Sequence, residues 1–228
     1  MDFGTARVRD RVYSTPAPFS ATDPRAFEGI ALTRSRTAQV LLLLLGLSPT
    51  GCDRLGDIVI VAEFDLTYSF ENGLEGWLPS GADLSDPAVT WSIDTSGDVA
   101  STGSSAARFT LDNTNGHGKI WLEREFDVAP ERAYDVQITF DLASNESGDA
   151  WRVLAGAHDA APTTAAELPV QDATAPGDGY QWTERSYTVR ATSDDEGALF
   201  VLLGLWGTSQ EARTYYVDNV HLVLSRVN

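Results

Sequence analysis

The chain has 228 residues, 43% of them apolar and 10% aromatic, which supplies the core of one domain and excludes a disordered chain. Its formal net charge is −17, and so acidic a surface excludes nucleic acid as a partner, because nothing is left to replace counterions along a phosphate backbone. The only cysteine is Cys52, which excludes an internal disulfide.

Residues 1–31 are polar, contain proline and show no periodicity. They would make an unusually long leader, so the true start is expected nearer Leu32, with 1–31 an over-extended start. Val40 to Leu47 is an eight-residue apolar run. It is too short to span a bilayer, which needs about 20 residues. It fits the apolar region of a secretory signal, with Arg34 and Arg36 as its basic flank. Ser48, Pro49, Thr50 and Gly51 then lead into Cys52, and the stretch resembles a bacterial lipobox. Thr50 and Gly51 match that pattern; Pro49 departs from it, since leucine is usual there. The resemblance implies that the signal, residues 1–51, is cut before Cys52. It also implies that Cys52 is acylated and that the protein is held to a membrane of the bacterial cell envelope. The alternative is a buried apolar segment with a stray thiol. The first 51 residues hold six Arg against four Asp or Glu, which leaves ten basic and 29 acidic residues, a balance of −19, from Cys52 onward.

Residues 52–59 read as the anchor and a short tether, and 60–226 as the folded domain. From Ile58 to Phe70 the sequence alternates: Ile58, Ile60, Ala62, Phe64, Leu66, Tyr68 and Phe70 share one face, and Glu63, Asp65, Thr67 and Ser69 the other. Further strands are predicted around Trp91–Ile93, Ser105–Leu111, Lys119–Phe126, Ala133–Leu142, Trp151–Ala157, Trp182–Ala191, Ala198–Trp206 and Tyr215–Leu224. Turn-forming stretches such as DNTNGHG, SNESGD and SDDEG separate them. Ala160–Ala175 reads as a long loop with at most one helical turn. About nine antiparallel strands predict an all-β sandwich. Leu199–Leu205 is apolar on both parities, as expected of a strand covered on both faces.

Two phrases carry a second resemblance: YSFENGLEGW (Tyr68–Trp77) and YYVDNVHLVL (Tyr215–Leu224). They resemble the opening and closing strands of carbohydrate-binding modules of the galactose-binding-like jelly-roll type. REFDVAPERAYDVQITFDLAS and YQWTERSYTV agree with the middle of that pattern. The resemblance covers nearly all of residues 64–225. It implies a jelly roll and a glycan ligand, and at Glu71 and Asp218 a structural Ca²⁺ held together with main-chain carbonyls. The sequence adds that Asp218 shares parity with Tyr216, Val220, Leu222 and Leu224, and a buried carboxylate needs a metal or a partner. Capping of backbone amides, or pairing with Arg213, is the alternative.

Sugars are held by flat aromatic rings with polar groups gripping the hydroxyls. Trp77 and Trp182 fall in the fold-defining phrases and are expected in the core. In KIWLEREF, Ile120, Leu122 and Phe126 share one face, and Lys119, Trp121, Glu123 and Glu125 the other. Trp121 is therefore the platform candidate, with Glu123 beside it. Asp135, Gln137 and Thr139 on the next strand would complete a patch if the two strands pair; a loop lying over Trp121 would instead make it core. Trp151 and Trp206 at strand ends, and Tyr180 in a glycine-rich loop, are further candidates.

No HExxH, phosphate-cradling glycine loop, dinucleotide fingerprint or GxSxG occurs, and His117, His158 and His221 are far apart. The sequence thus predicts a lipid-anchored, non-catalytic glycan-binding module. An adhesion or assembly protein using the sandwich for protein contacts, and a small two-carboxylate glycan-active enzyme, are the alternatives.

Overall fold

A computed structural model describes residues 62–145, 151–174 and 179–227. The leader, Cys52, the tether and the start of the first alternating stretch lie outside the described residues. Eleven strands follow in chain order among those described: β1 (Ala62–Tyr68), β2 (Leu78–Ala82), β3 (Trp91–Ser96), β4 (Ala106–Asp112), β5 (Lys119–Asp127), β6 (Ala133–Ser144), β7 (Arg152–His158), β8 (Val170–Ala173), β9 (Thr183–Thr192), β10 (Ala198–Trp206) and β11 (Ala212–Arg226). A 3₁₀ turn, Ala165–Glu167, sits between β7 and β8. No helix among these residues is long and apolar enough to cross a membrane.

Two antiparallel sheets face each other. The first runs β3-β4-β11-β6-β9, with β1 also paired to β11; the second runs β2-β5-β10-β7-β8. The count exceeds the expected nine because β2 and β8, of five and four residues, are edge strands too short to show periodicity. Strand β11 has 15 residues and serves two partners on one side: Ala212–Val217 pairs with β4, and Val220–Ser225 with β1.

The core follows from alternation. Tyr134, Val136, Ile138, Phe140 and Leu142 of β6 face Leu199, Val201, Leu203 and Leu205 of β10 across the sandwich, and all are buried. The opening phrase folds back to close one end. Phe70 and Trp77 are buried, Trp77 meets Tyr68 edge to face at 5.5 Å, and the Trp77 backbone N–H donates to the Leu74 carbonyl at 2.9 Å. In the β9–β10 turn Gly197 takes φ +97° against the Val128 carbonyl, where no Cβ would fit.

The expected parity of β11 changes within the strand. Up to Val217 the odd residues face the core; from Val220 onward the even ones do. A bulge between Asp218 and His221, with Asn219 at φ +50°, makes the switch. Asp218 therefore does not share the core face with Leu222 and Leu224. It lies on the outer face beside Asp141, buried by a loop instead.

Candidate functional site

The outer face of the first sheet is a flat polar ladder. Asp135, Gln137 and Thr139 of β6 stand opposite Arg190, Thr188 and Ser186 of β9. Thr139 and Ser186 hydroxyls are 2.9 Å apart, and the Arg190 guanidinium donates from Nε and Nη2 to the two oxygens of Asp135 at 2.7 and 2.8 Å. On the same face His221 Nε2 lies 2.8 Å from Asp65 Oδ1. No ring joins these three β6 residues. β5 and β6 belong to different sheets, so Trp121 and Asp135 or Gln137 lie on opposite sides of the molecule and do not form one patch.

The outer face of the second sheet is aromatic along its middle. Its central strand, β10, presents Phe200, Leu202, Gly204 and Trp206 outward, set between Glu125, Glu123, Trp121 and Lys119 of β5 and His158, Gly156, Leu154 and Arg152 of β7. Trp121 does take the outward parity with Glu123, and its indole Nε1–H donates to Glu123 Oε2 at 2.8 Å. It is not an exposed platform: only 1% of it is accessible. The β7–β8 segment crosses this face as a strap and sets Leu168 on Trp121, Leu154 and Leu202, a small apolar cluster of its own. Gly156 lets it lie so close, since a Cβ there would collide with Pro169; on Gly204 a Cβ would instead meet the Ile120 carbonyl and Trp121 of β5.

The strap covers the middle of the face and leaves both ends of β10 half-exposed. At one end Trp206 is packed: the Lys119 ammonium lies 4.8 Å from its ring centroid and is held there by Asp83 at 2.6 Å. At the other end Phe200 stands between Glu125 and His158 with no such cover. Beside it a recess of about 230 Å³ is lined by His158, Asp159, Pro162, Thr163 and Glu167. A second, of about 330 Å³, continues from His158 and Asp159 to Arg190 and Thr192. Glu167 Oε2 accepts the Thr163 and Thr164 amides at 2.7 and 3.0 Å, and these bonds hold its carboxyl below the usual glutamate range.

Among the other sequence candidates, Trp151 is fully buried and stacks on Tyr215 at 5.4 Å, so it belongs to the core. Tyr180 is half-buried on the first sheet's side, edge-on to Tyr216 at 5.3 Å, away from Phe200. Trp77 is core as expected, whereas Trp182 is half-exposed. Phe200 escaped the sequence reading because β10 is apolar on both parities, and nothing local says where the cover stops.

Glu71 and Asp218 grip one loop, between β3 and β4. Glu71 accepts the Ser104 and Ser105 amides on Oε1 at 2.8 and 2.9 Å and the Ser104 hydroxyl on Oε2 at 2.7 Å. The Ser104 amide foremost holds its carboxyl below the usual range. Asp218 accepts the Ser101 and Thr102 amides on Oδ2 at 2.9 and 3.1 Å, and the Asn219 amide on Oδ1 at 2.8 Å. Burial pushes its carboxyl up against the pull of those amides, and Asp141 adds to the rise. Arg213 pairs with Glu211, not with Asp218. No three Asp, Glu, His or Cys gather around a metal-sized space among the described residues. An ionised carboxylate offers about four acceptor positions. Glu71 and Asp218 each have one left, on Oε2 and Oδ1, while the loop turns its amides toward both carboxylates.

No family model matches the chain, and no curated protein matches it. Solved structures similar to it include TmCBM61 in complex with β-1,4-galactotriose, 15% identical with a TM-score of 0.42 over 68% of this chain and 92% of that one. The CBM22-1 xylan-binding domain of Paenibacillus barcinonensis Xyn10C is 16% identical with a TM-score of 0.42, over 72% and 95%. The K3 cleaved adhesin domain of Lys-gingipain from Porphyromonas gingivalis W83 is 14% identical with a TM-score of 0.46, over 69% and 97%.

Proposed function

We propose that this domain binds a glycan, without chemistry, on the outer face of the second sheet. One observation carries the reading. Phe200 is a half-exposed ring at one end of that face, between Glu125 and His158, and His158 also lines a recess whose rim bears Asp159 and Thr163. A flat ring under a pyranose with carboxylate, imidazole and hydroxyl groups around it is what sugar recognition requires. Protein docking is less well supported. The two exposed large apolar side chains among the described residues, Leu78 (63%) and Val170 (44%), sit on opposite edge strands and make no common patch. Hydrolysis needs a carboxylic acid that stays protonated beside a second carboxylate. On the cleft Glu167 is held ionised, and the carboxyl that is raised, Asp218, is buried under a loop.

A structural Ca²⁺ at Glu71 and Asp218, and attachment to a bacterial envelope membrane through Cys52, complete the proposal. The lipobox pattern supports the second.

Polysaccharide affinity electrophoresis and a glycan array, with Ca²⁺ present, test the binding reading. Phe200→Ala is expected to weaken binding at least tenfold, about 1.4 kcal/mol, while its melting temperature stays close to that of the parent, because the ring is only half-buried. Binding that survives in Phe200→Ala but vanishes in Trp206→Ala would move the site to the other end of β10. Retention of no glycan by the folded protein would end the sugar reading.

A further inference from the structure

We infer that the Phe200 face accepts uncharged glycan chains and turns away uronic and sulfated ones. This rests on the binding reading above and specifies its ligand class.

The charges around the face are unevenly matched. Glu123 and Glu125 project from β5, and Asp159 stands on the rim of both recesses. Glu167 adds a fourth carboxylate, and its two amide partners leave its negative charge unneutralised. Arg190, which lines the second recess, directs its guanidinium to Asp135 on the outer face of the first sheet, an exposed pair in which one charge offsets the other. Lys119, paired with Asp83, and Arg152 both lie at the far end of β10, beside Trp206. From Phe200 to Trp206 along the strand is about 20 Å, beyond the screening length of about 8 Å at physiological salt. An incoming carboxylate or sulfate therefore meets several uncompensated negative charges and no free positive one on the rim. The surrounding molecule, at −17, repels it as well.

The same groups suit a neutral chain. Carboxylates accept strong hydrogen bonds from sugar hydroxyls. Asp135, which the sequence suggested as a direct ligand, is taken by Arg190 on the outer face of the first sheet.

The test is affinity electrophoresis of the detergent-solubilised full chain against neutral galactan, xylan, glucan and mannan, and against polygalacturonate and dextran sulfate. Runs span about 20 to about 500 mM NaCl. Wild type is expected to be retained by at least one neutral polymer with little dependence on salt. Retention by the two anionic polymers should be at least tenfold weaker, with the gap narrowing as salt rises. Asp159→Asn combined with Glu125→Gln should narrow the gap at low salt. Anionic polymers bound as tightly as neutral ones, or a gap unchanged by salt and by all these substitutions, would overturn the inference while leaving the binding reading standing. Retention by no polymer would overturn both.

Discussion

At Asn219 the backbone takes a positive φ, and that single residue turns Asp218 out of the core and under the β3–β4 loop. The consequence is a carboxylate with 0% exposure whose charge is met by three backbone amides and no cationic side chain. Asp141 lies next to it in register and accepts the Ser101 hydroxyl and the Asn219 side-chain amide at 2.6 and 2.7 Å. Two neighbouring carboxylates with no counter-charge gain from a divalent cation, which leads to the calcium prediction. At a concentration of 100 times its dissociation constant a ligand adds about 2.7 kcal/mol to stability. For a domain of this size that raises the melting temperature by roughly 5–11 °C. Calcium chloride should therefore stabilise the protein beyond sodium chloride of equal ionic strength, and Asp218→Asn or Glu71→Gln should abolish the excess. Equal melting in the two salts would mean that the amide clasp alone holds the loop. That Glu71 and Asp218 belong to the opening and closing phrases was legible in the sequence. The side of β11 on which Asp218 lies was not, because a bulge inserts one residue and reverses every parity after it.

The strap between β7 and β8 is an element whose effect depends on what lies beneath it. Its sequence, rich in Ala, Thr and Pro, was readable as a loop with one helical turn, and the 3₁₀ turn at Ala165–Glu167 agrees. Its destination was not readable. Trp121 is some 40 residues upstream, and the outward parity of that tryptophan was correctly given by its own strand. The crossing segment before β8 is attached through the Leu168 side chain and the Pro169 carbonyl, which accepts Ala155 N–H at 3.3 Å, whereas β8 itself is paired to β7. Deleting a buried leucine costs about 2–5 kcal/mol, enough to open so light an attachment while the main core stays closed. Leu168→Ala is expected to expose Trp121 to acrylamide, read as the quenching difference between each protein and its Trp121→Phe partner. Global melting should move little. Acid should act in the same direction. The folded-state Glu167 carboxyl is held below its ordinary value, so its contribution is full above the ordinary glutamate range. It is lost as the pH falls through the depressed value. Wild type should therefore become quenchable at low pH, and Glu167→Gln should lack that step. Quenching independent of pH in wild type, or whole-domain unfolding of Leu168→Ala, would show the strap to be part of the core.

At the scale of the molecule, charge and anchoring have to be considered together. A domain carrying −19 from Cys52 onward is repelled by an anionic bilayer surface and has no basic patch to offset that repulsion. Its membrane affinity, if Cys52 is acylated, must come from the acyl chains alone, at about 0.8 kcal/mol per buried CH₂. A single chain gives only marginal, reversible binding, and two or more give stable attachment. The dependence on Cys52 should thus be close to all-or-none. With the full chain expressed in a bacterium that processes lipoproteins, labelled palmitate should enter the wild-type protein. That protein should partition into the detergent phase after membrane extraction. Cys52→Ser should take up no label and, in a variant carrying a cleavable secretory signal in place of residues 1–51, leave the membrane fraction. Envelope glycan could itself retain the serine variant, so extraction is done in the presence of the best soluble oligosaccharide from the binding screen. A serine variant that still partitions into detergent, or a wild-type chain that takes up no label, would return Cys52 to the status of an ordinary thiol.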